Sequence, residues 1–183
     1  MSLAGLHALV IGGARSGKSR FAEALARRSG LDRVYIATAT PFDDEMRERI
    51  TNHRADRARD GWRTVEEPLE LARALRYEAA PGRIVLVDCL TLWLTNLMLG
   101  EATEAAQSDA AVACSRLAAM VPDLAGPVVF VSNEVGWGIV PDNKLARDFR
   151  DAQGRLNQAM AEACQHVVLV AAGLPLTLKG GIG

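Results

Sequence analysis

Residues Gly12-Gly13-Ala14-Arg15-Ser16-Gly17-Lys18-Ser19 complete the pattern GxxxxGK[ST], and they stand between an apolar run, Ala8 to Ile11, and a helical pattern, Ser19 to Arg28. Strand, glycine-rich loop and helix in that order make a phosphate cradle, the P-loop. The glycines permit a tight path that aims successive amides at phosphate oxygens, and the helix adds the positive end of its dipole. Lys18 is placed to reach the β and γ phosphates, and the Ser19 hydroxyl to ligate Mg²⁺. Lysine is scarce in this chain, at Lys18, Lys144 and Lys179 only, so its presence in the motif is hard to assign to chance. A dinucleotide fingerprint is excluded, since no GxGxxG run follows the first strand.

The rest of the chain supplies a sheet for that loop. Apolar runs without alternation occur at Ala8 to Ile11, Val34 to Ala37, Ile84 to Val87, Val128 to Val131 and Val167 to Ala171. Such runs suit strands buried on both faces of a parallel sheet. Helical patterns separate them at Ser19 to Arg28, Asp43 to Asp60, Leu69 to Glu78, Ala105 to Met120 and Asn143 to Gln165. The alternation predicts an α/β fold, a doubly wound, mostly parallel sheet with helices on both faces and ligands at the carboxyl ends of its strands. One domain over residues 1–183 is expected, because a chain of this length forms a single core. With 21 Lys+Arg against 22 Asp+Glu, the net charge is −1 and no like-charge block stands out. That balance argues against a general nucleic-acid or membrane-surface binder and for small-molecule chemistry. The longest apolar stretch, Ile84 to Leu99, is interrupted by Asp88 and Asn96, so no membrane insertion is expected. Cys89, Cys114 and Cys164 are odd in number and lie in apolar runs, as buried free thiols of a reducing, cytoplasmic compartment would.

Residues just after the strands carry the remaining chemistry. Ile84-Val85-Leu86-Val87 ends in Asp88, the position at which a P-loop enzyme places a second Mg²⁺-organising group. A turn-capping acid is the alternative. Val128 to Val131 continues into Ser132-Asn133-Glu134-Val135-Gly136-Trp137-Gly138, which puts an amide and a carboxylate on the same sheet edge. Here too a locally satisfied turn is the alternative.

His53 is the histidine that differs from the others. His7 and His166 each precede a strand and read as structural, whereas Met46, Ile50, His53 and Arg57 recur at helical spacing and share a face. A neutral imidazole is a competent nucleophile at phosphorus, and Arg54 and Arg57 would disfavour its protonation and stabilise charge on a transferring phosphoryl group. By that chemistry alone, a half-buried histidine on a salt-laced helix is the better reading.

Several runs in order along nearly the whole chain carry a resemblance. They are Gly12 to Ser19, Tyr35-Ile36-Ala37-Thr38, Asp43-Asp44-Glu45-Met46 through His53-Arg54, Trp62-Arg63-Thr64-Val65-Glu66-Glu67-Pro68 and Asn133 through Pro141. Leu145 to Asp151, Gly154 to Gln158 and Gly173-Leu174-Pro175 extend it. Together they resemble the bifunctional adenosylcobinamide kinase / adenosylcobinamide-phosphate guanylyltransferases of cobalamin biosynthesis. The P-loop is shared by many families; the NEVGxGIVP run and the acid-Met…His-Arg helix are far more specific.

The resemblance implies a RecA-like P-loop NTPase fold and two reactions. GTP or ATP first phosphorylates the aminopropanol hydroxyl of adenosylcobinamide. GTP then guanylylates a histidine, and the GMP passes to adenosylcobinamide phosphate to give adenosylcobinamide-GDP. By position, the guanylylated histidine falls on His53, which reverses the structural reading of that residue. Nucleotide contacts fall on Gly12 to Ser19, on Thr38, Ala39 and Thr40, on Arg54, Ala55, Asp56 and Arg57, on Glu66 and on Asp88, and Ser19 and Asp88 hold Mg²⁺. A homo-oligomer, a trimer in particular, is also implied. Two rivals make different demands. A monofunctional small-molecule kinase would retain no α-phosphate label on the protein, and a RecA-like ATPase would respond to a macromolecular partner.

Overall fold

The structure is a computed structural model that describes residues 6–40, 59–99 and 104–181. Its elements in chain order are β1 (Ala8–Gly12), α1 (Lys18–Arg28), β2 (Asp32–Ala37), β3 (Trp62–Glu66), α2 (Leu71–Glu78), β4 (Arg83–Asp88), α3 (Leu90–Leu99), α4 (Glu104–Met120), β5 (Val128–Asn133), α5 (Lys144–Ala163), β6 (His166–Ala171) and β7 (Leu174–Lys179). All seven strands join one sheet in the order β3-β2-β4-β5-β1-β6-β7. Six run parallel, and β7 returns antiparallel against β6.

Alternate residues of the parallel strands face two separate apolar layers, the period-two consequence of the pleat. One layer gathers Leu9, Ile36, Val87 and Phe130 against Leu75 of α2, Trp93 of α3, Leu117 of α4 and Leu156 of α5. The other gathers Val10, Leu86 and Val131 against Ala22, Leu25 and Ala26 of α1. Helices therefore cover both faces, α1 on one and α2 to α5 on the other, as the strand pattern predicts. Because the sheet is parallel, Gly12, Ala37, Glu66, Asp88, Asn133 and Ala171 all end at one edge.

Three elements differ from the sequence expectation. The apolar stretch Ile84 to Leu99 holds a helix beyond the expected strand: β4 ends at Asp88 and α3 begins at Leu90. Its helix LTLWLTNLML is apolar on every side because it is buried, so no amphipathic period marks it. β3 and β7 were also not expected. Trp62-Arg63-Thr64-Val65-Glu66 follows Gly61 and holds the β-prone Trp, Thr and Val, which is a strand signal. In β7, Pro175 sits where proline is tolerated, on the sheet's outer edge. The predicted helix Asp43 to Asp60, with His53, Arg54, Ala55, Asp56 and Arg57, lies outside the described residues except for its last two positions.

Candidate functional site

Gly12 closes β1 where the backbone is crowded. A Cβ there would stand 2.4 Å from the Val170 carbonyl and 2.7 Å from Ser16 Oγ, so only glycine fits. The loop then turns through Arg15 at φ 56° and Gly17 at φ 95°, both left-handed. Helix α1 begins at Lys18 with no side-chain cap and no acid in its first turn. Its leading amides and dipole are thereby left for an external anion. Ser16 Oγ is buried without a hydrogen-bond partner, a donor inside the loop that a phosphate oxygen would satisfy. Lys18 is 8% exposed and its Nζ donates to the Gly13 carbonyl at 3.1 Å, so the ammonium lies across the loop that it is expected to serve.

A wall that sequence reading did not assign closes the cradle. Ala172 and Gly173, at φ 50° and 80°, form the two-residue turn between β6 and β7. Both line the phosphate cavity with Arg15 to Arg20. The Gly173 amide donates to the Ser16 carbonyl at 2.8 Å. The signal was the left-handed pair a tight hairpin needs, here Ala-Gly instead of the more familiar Asn-Gly.

Asp88 lies two strands away from β1 on the same edge. Tyr35 Oη donates to its Oδ2 at 2.7 Å, which fixes the carboxylate. Thr38 is fully buried beside it: its amide donates to the Asp88 carbonyl at 3.3 Å, and its hydroxyl both donates to the Cys89 carbonyl and accepts from the Cys89 amide. Asn96 donates to the Thr38 carbonyl at 2.7 Å, tying this loop to α3. Ala39 and Thr40 follow half-buried, and Glu66 stands exposed at the end of β3, in register with Ala37. The structure thus brings Gly12 to Ser19, Thr38 to Thr40, Glu66 and Asp88 to one sheet edge.

The Ser19 hydroxyl and the Asp88 carboxylate are hard oxygen donors. Among the described residues no group of three or more His, Cys, Asp or Glu gathers into a metal cage. Such a sparse set suits Mg²⁺, which draws most of its shell from phosphates and water.

Among the described residues, Cys89, His7 and His166 are poorly suited to act as nucleophiles at this edge. Burial, then the charge of Asp88, pushes the Cys89 thiol up to about 11, so it is not a thiolate at neutral pH. His7 and His166 sit at the amino ends of β1 and β6, the opposite edge of the sheet. At a strand rise of about 3.3 Å per residue, that is on the order of 15 Å from the phosphate loop.

Glu134 answers the question left open for the β5 edge. Its carboxylate is not spent on local backbone: Oε1 accepts from Asn157 Nδ2 of α5 at 2.8 Å. Beyond it the loop exposes Trp137 and Ile139, 75% and 97% accessible.

The comparisons with known proteins bear on this site. The profile of the cobinamide kinase / cobinamide phosphate guanyltransferase family matches residues 8–178. The bifunctional adenosylcobalamin biosynthesis protein CobP of Pseudomonas aeruginosa is 51% identical, over 94% of this chain and 96% of its own. The bifunctional adenosylcobalamin biosynthesis protein CobU of Escherichia coli is 41% identical, over 93% of this chain and 98% of its own. Among solved structures, a KaiC-like protein from Pyrococcus horikoshii superposes with a TM-score of 0.50 at 12% identity, covering 91% of this chain and 71% of that one. That likeness speaks to the fold alone, which is the RecA-like P-loop architecture.

Proposed function

The chain belongs to the cobinamide kinase / cobinamide phosphate guanyltransferase family, and from that premise we propose that one nucleotide cradle, Gly12 to Ser19, serves both of its reactions. The observation that carries this is the uncapped start of α1 beside the buried, unpartnered Ser16 hydroxyl. A site so built holds a triphosphate whichever phosphorus is attacked.

In the kinase half, the acceptor hydroxyl of adenosylcobinamide attacks the γ phosphorus of GTP or ATP. Lys18 and the loop amides hold the charge that builds on the phosphoryl group and on the departing diphosphate. Ser19 and Asp88 would hold Mg²⁺, which supplies charge neutralisation to the phosphates when bound. In the guanylyltransferase half, a neutral His53 nitrogen attacks the α phosphorus of GTP. A P–N bond forms, the bond to the bridging oxygen breaks, and pyrophosphate leaves with the electron pair. Arg54 and Arg57 favour the neutral imidazole and stabilise the phosphorus centre. A phosphate oxygen of adenosylcobinamide phosphate then attacks the same phosphorus and releases the histidine, giving adenosylcobinamide-GDP. Two displacements replace one slow exchange, each with a good leaving group. Thr38, Ala39, Thr40, Ala55, Asp56 and Glu66 are read as nucleotide contacts. The unfavourable placement of His7 and His166 supports His53 as the nucleophile. The working form is proposed to be a homo-oligomer, a trimer in particular.

Incubation with GTP and Mg²⁺ followed by intact-mass measurement tests the reading. Wild-type protein should gain one GMP in an acid-labile, base-stable linkage. His53→Ala should gain none, yet still convert adenosylcobinamide to its phosphate. Covalent GMP on His53→Ala with the same acid lability would move the nucleophile elsewhere.

A further inference from the structure

Strand order sets β5 between β4, which ends in Asp88, and β1, which leads into the phosphate loop. Asn133 is in register with Gly12, and the Glu134 amide donates to the Gly12 carbonyl at 3.1 Å. Glu134 is thus the carboxylate at the strand tip between the two phosphate-handling strands, half-buried and open to solvent. Among the described residues no cation pairs with it, and its hydrogen-bond partner is an uncharged amide.

That amide cannot turn away. Asn157 Oδ1 accepts from the Ser132 hydroxyl at 2.7 Å and from Gln153 Nε2 at 2.9 Å, and Gln153 Nε2 also donates to Ser132 Oγ at 2.9 Å. With its oxygen occupied by two donors, Asn157 must present Nδ2 to the Asn133 carbonyl and to Glu134 Oε1. Ser132 and Gln153 are fully buried and Asn157 is 6% exposed. A buried polar network that fixes one partly exposed carboxylate, which has no cation partner among the described residues, is an arrangement for chemistry more than for stability.

We infer that Glu134 is a catalytic residue of the kinase half alone: it accepts the proton of the cobinamide hydroxyl as that oxygen attacks the γ phosphorus, with Asn157 as its positioning residue. The new O–P bond forms, the bond between the γ phosphorus and the bridging oxygen breaks, and the nucleoside diphosphate leaves with the electron pair. Glu134 then loses the proton to water. A neutral imidazole attacking the α phosphorus has no hydroxyl proton to give up, so the self-guanylylation step does not need this base. The inference rests on the functional reading above.

Glu134→Gln is the informative variant, since its amide oxygen still accepts from Asn157 while the base is gone. Its kcat for cobinamide phosphorylation should fall about 100-fold, within the usual range for a general base. Nucleotide affinity and covalent GMP uptake should stay near wild type. The acid limb of the wild-type kcat profile should vanish in this variant, a change that a merely structural role would not produce. Glu134→Asp, which keeps a carboxylate, should recover part of the rate. Near-wild-type kcat in Glu134→Gln would overturn the inference, as would equal loss of phosphorylation and GMP uptake. Failure of the wild-type chain to phosphorylate cobinamide at all would instead sink the functional reading, and this inference with it.

Discussion

The amide of Gly173 donates to the carbonyl of Ser16 at 2.8 Å, so the β6–β7 turn is fastened to the phosphate loop from a point more than 150 residues further along the chain. Gly173 holds φ 80°, and a Cβ on Gly17 would approach its Cα to 3.3 Å. A side chain at Gly173 costs about 1 kcal/mol of backbone strain. Gly173→Ala should therefore lower thermal stability modestly and weaken nucleotide binding, measured by melting and by GTP titration. Unchanged affinity would show that the turn only borders the cavity.

Lys18 contributes its charge to whichever phosphoryl group is in flight. Lys18→Ala should reduce phosphorylation of cobinamide and covalent GMP uptake together, each by about 100-fold or more, since one electrostatic donor commonly accounts for that much. Loss of one activity alone, in a variant that melts like wild type, would mean two separate sites.

Asp88 is held by the Tyr35 hydroxyl, so charge and orientation can be varied apart. Asp88→Asn removes the charge and should raise the Mg²⁺ concentration needed for half-maximal turnover. Tyr35→Phe frees the carboxylate without neutralising it and should shift that demand less. An unaltered Mg²⁺ dependence in Asp88→Asn would return the residue to capping a turn.

Acid sensitivity has an identifiable contributor. His7 is 1% exposed, its Nδ1 lacks a hydrogen-bond partner, and burial lowers its pKa below the ordinary 6.5. The unfolded chain then binds a proton that the folded chain refuses. Stability is full above about pH 6.5 and falls as pH drops below it toward the lowered folded value, with a limiting slope of about 1.4 kcal/mol per pH unit for one proton. Chemical unfolding of His7→Leu between pH 7 and 5 should show a shallower loss than wild type. Parallel curves would assign the acid sensitivity elsewhere.

The phosphate loop, the parallel strands and Asp88 were legible in the sequence because each is a local pattern. A motif of fixed spacing, an unbroken apolar run and an acid at its end need no partner to be recognised. Several fixed runs, the NEVGWGIVP run among them, carried the family resemblance for the same reason, and that resemblance implied a role for His53 that its helical spacing alone did not. α3 was hidden because a helix buried all round loses the amphipathic period, and β7 because proline disguises an edge strand. What only the tertiary structure decided are the relationships across distance. Strand order set Glu134 between Asp88 and the phosphate loop, α5 brought Asn157 to its carboxylate, and the β6–β7 hairpin carried Gly173 back to Ser16. None of these follows from local spacing, because parallel pairing joins segments whose separation in the chain is set by the intervening helices and leaves no periodic trace in the residues themselves.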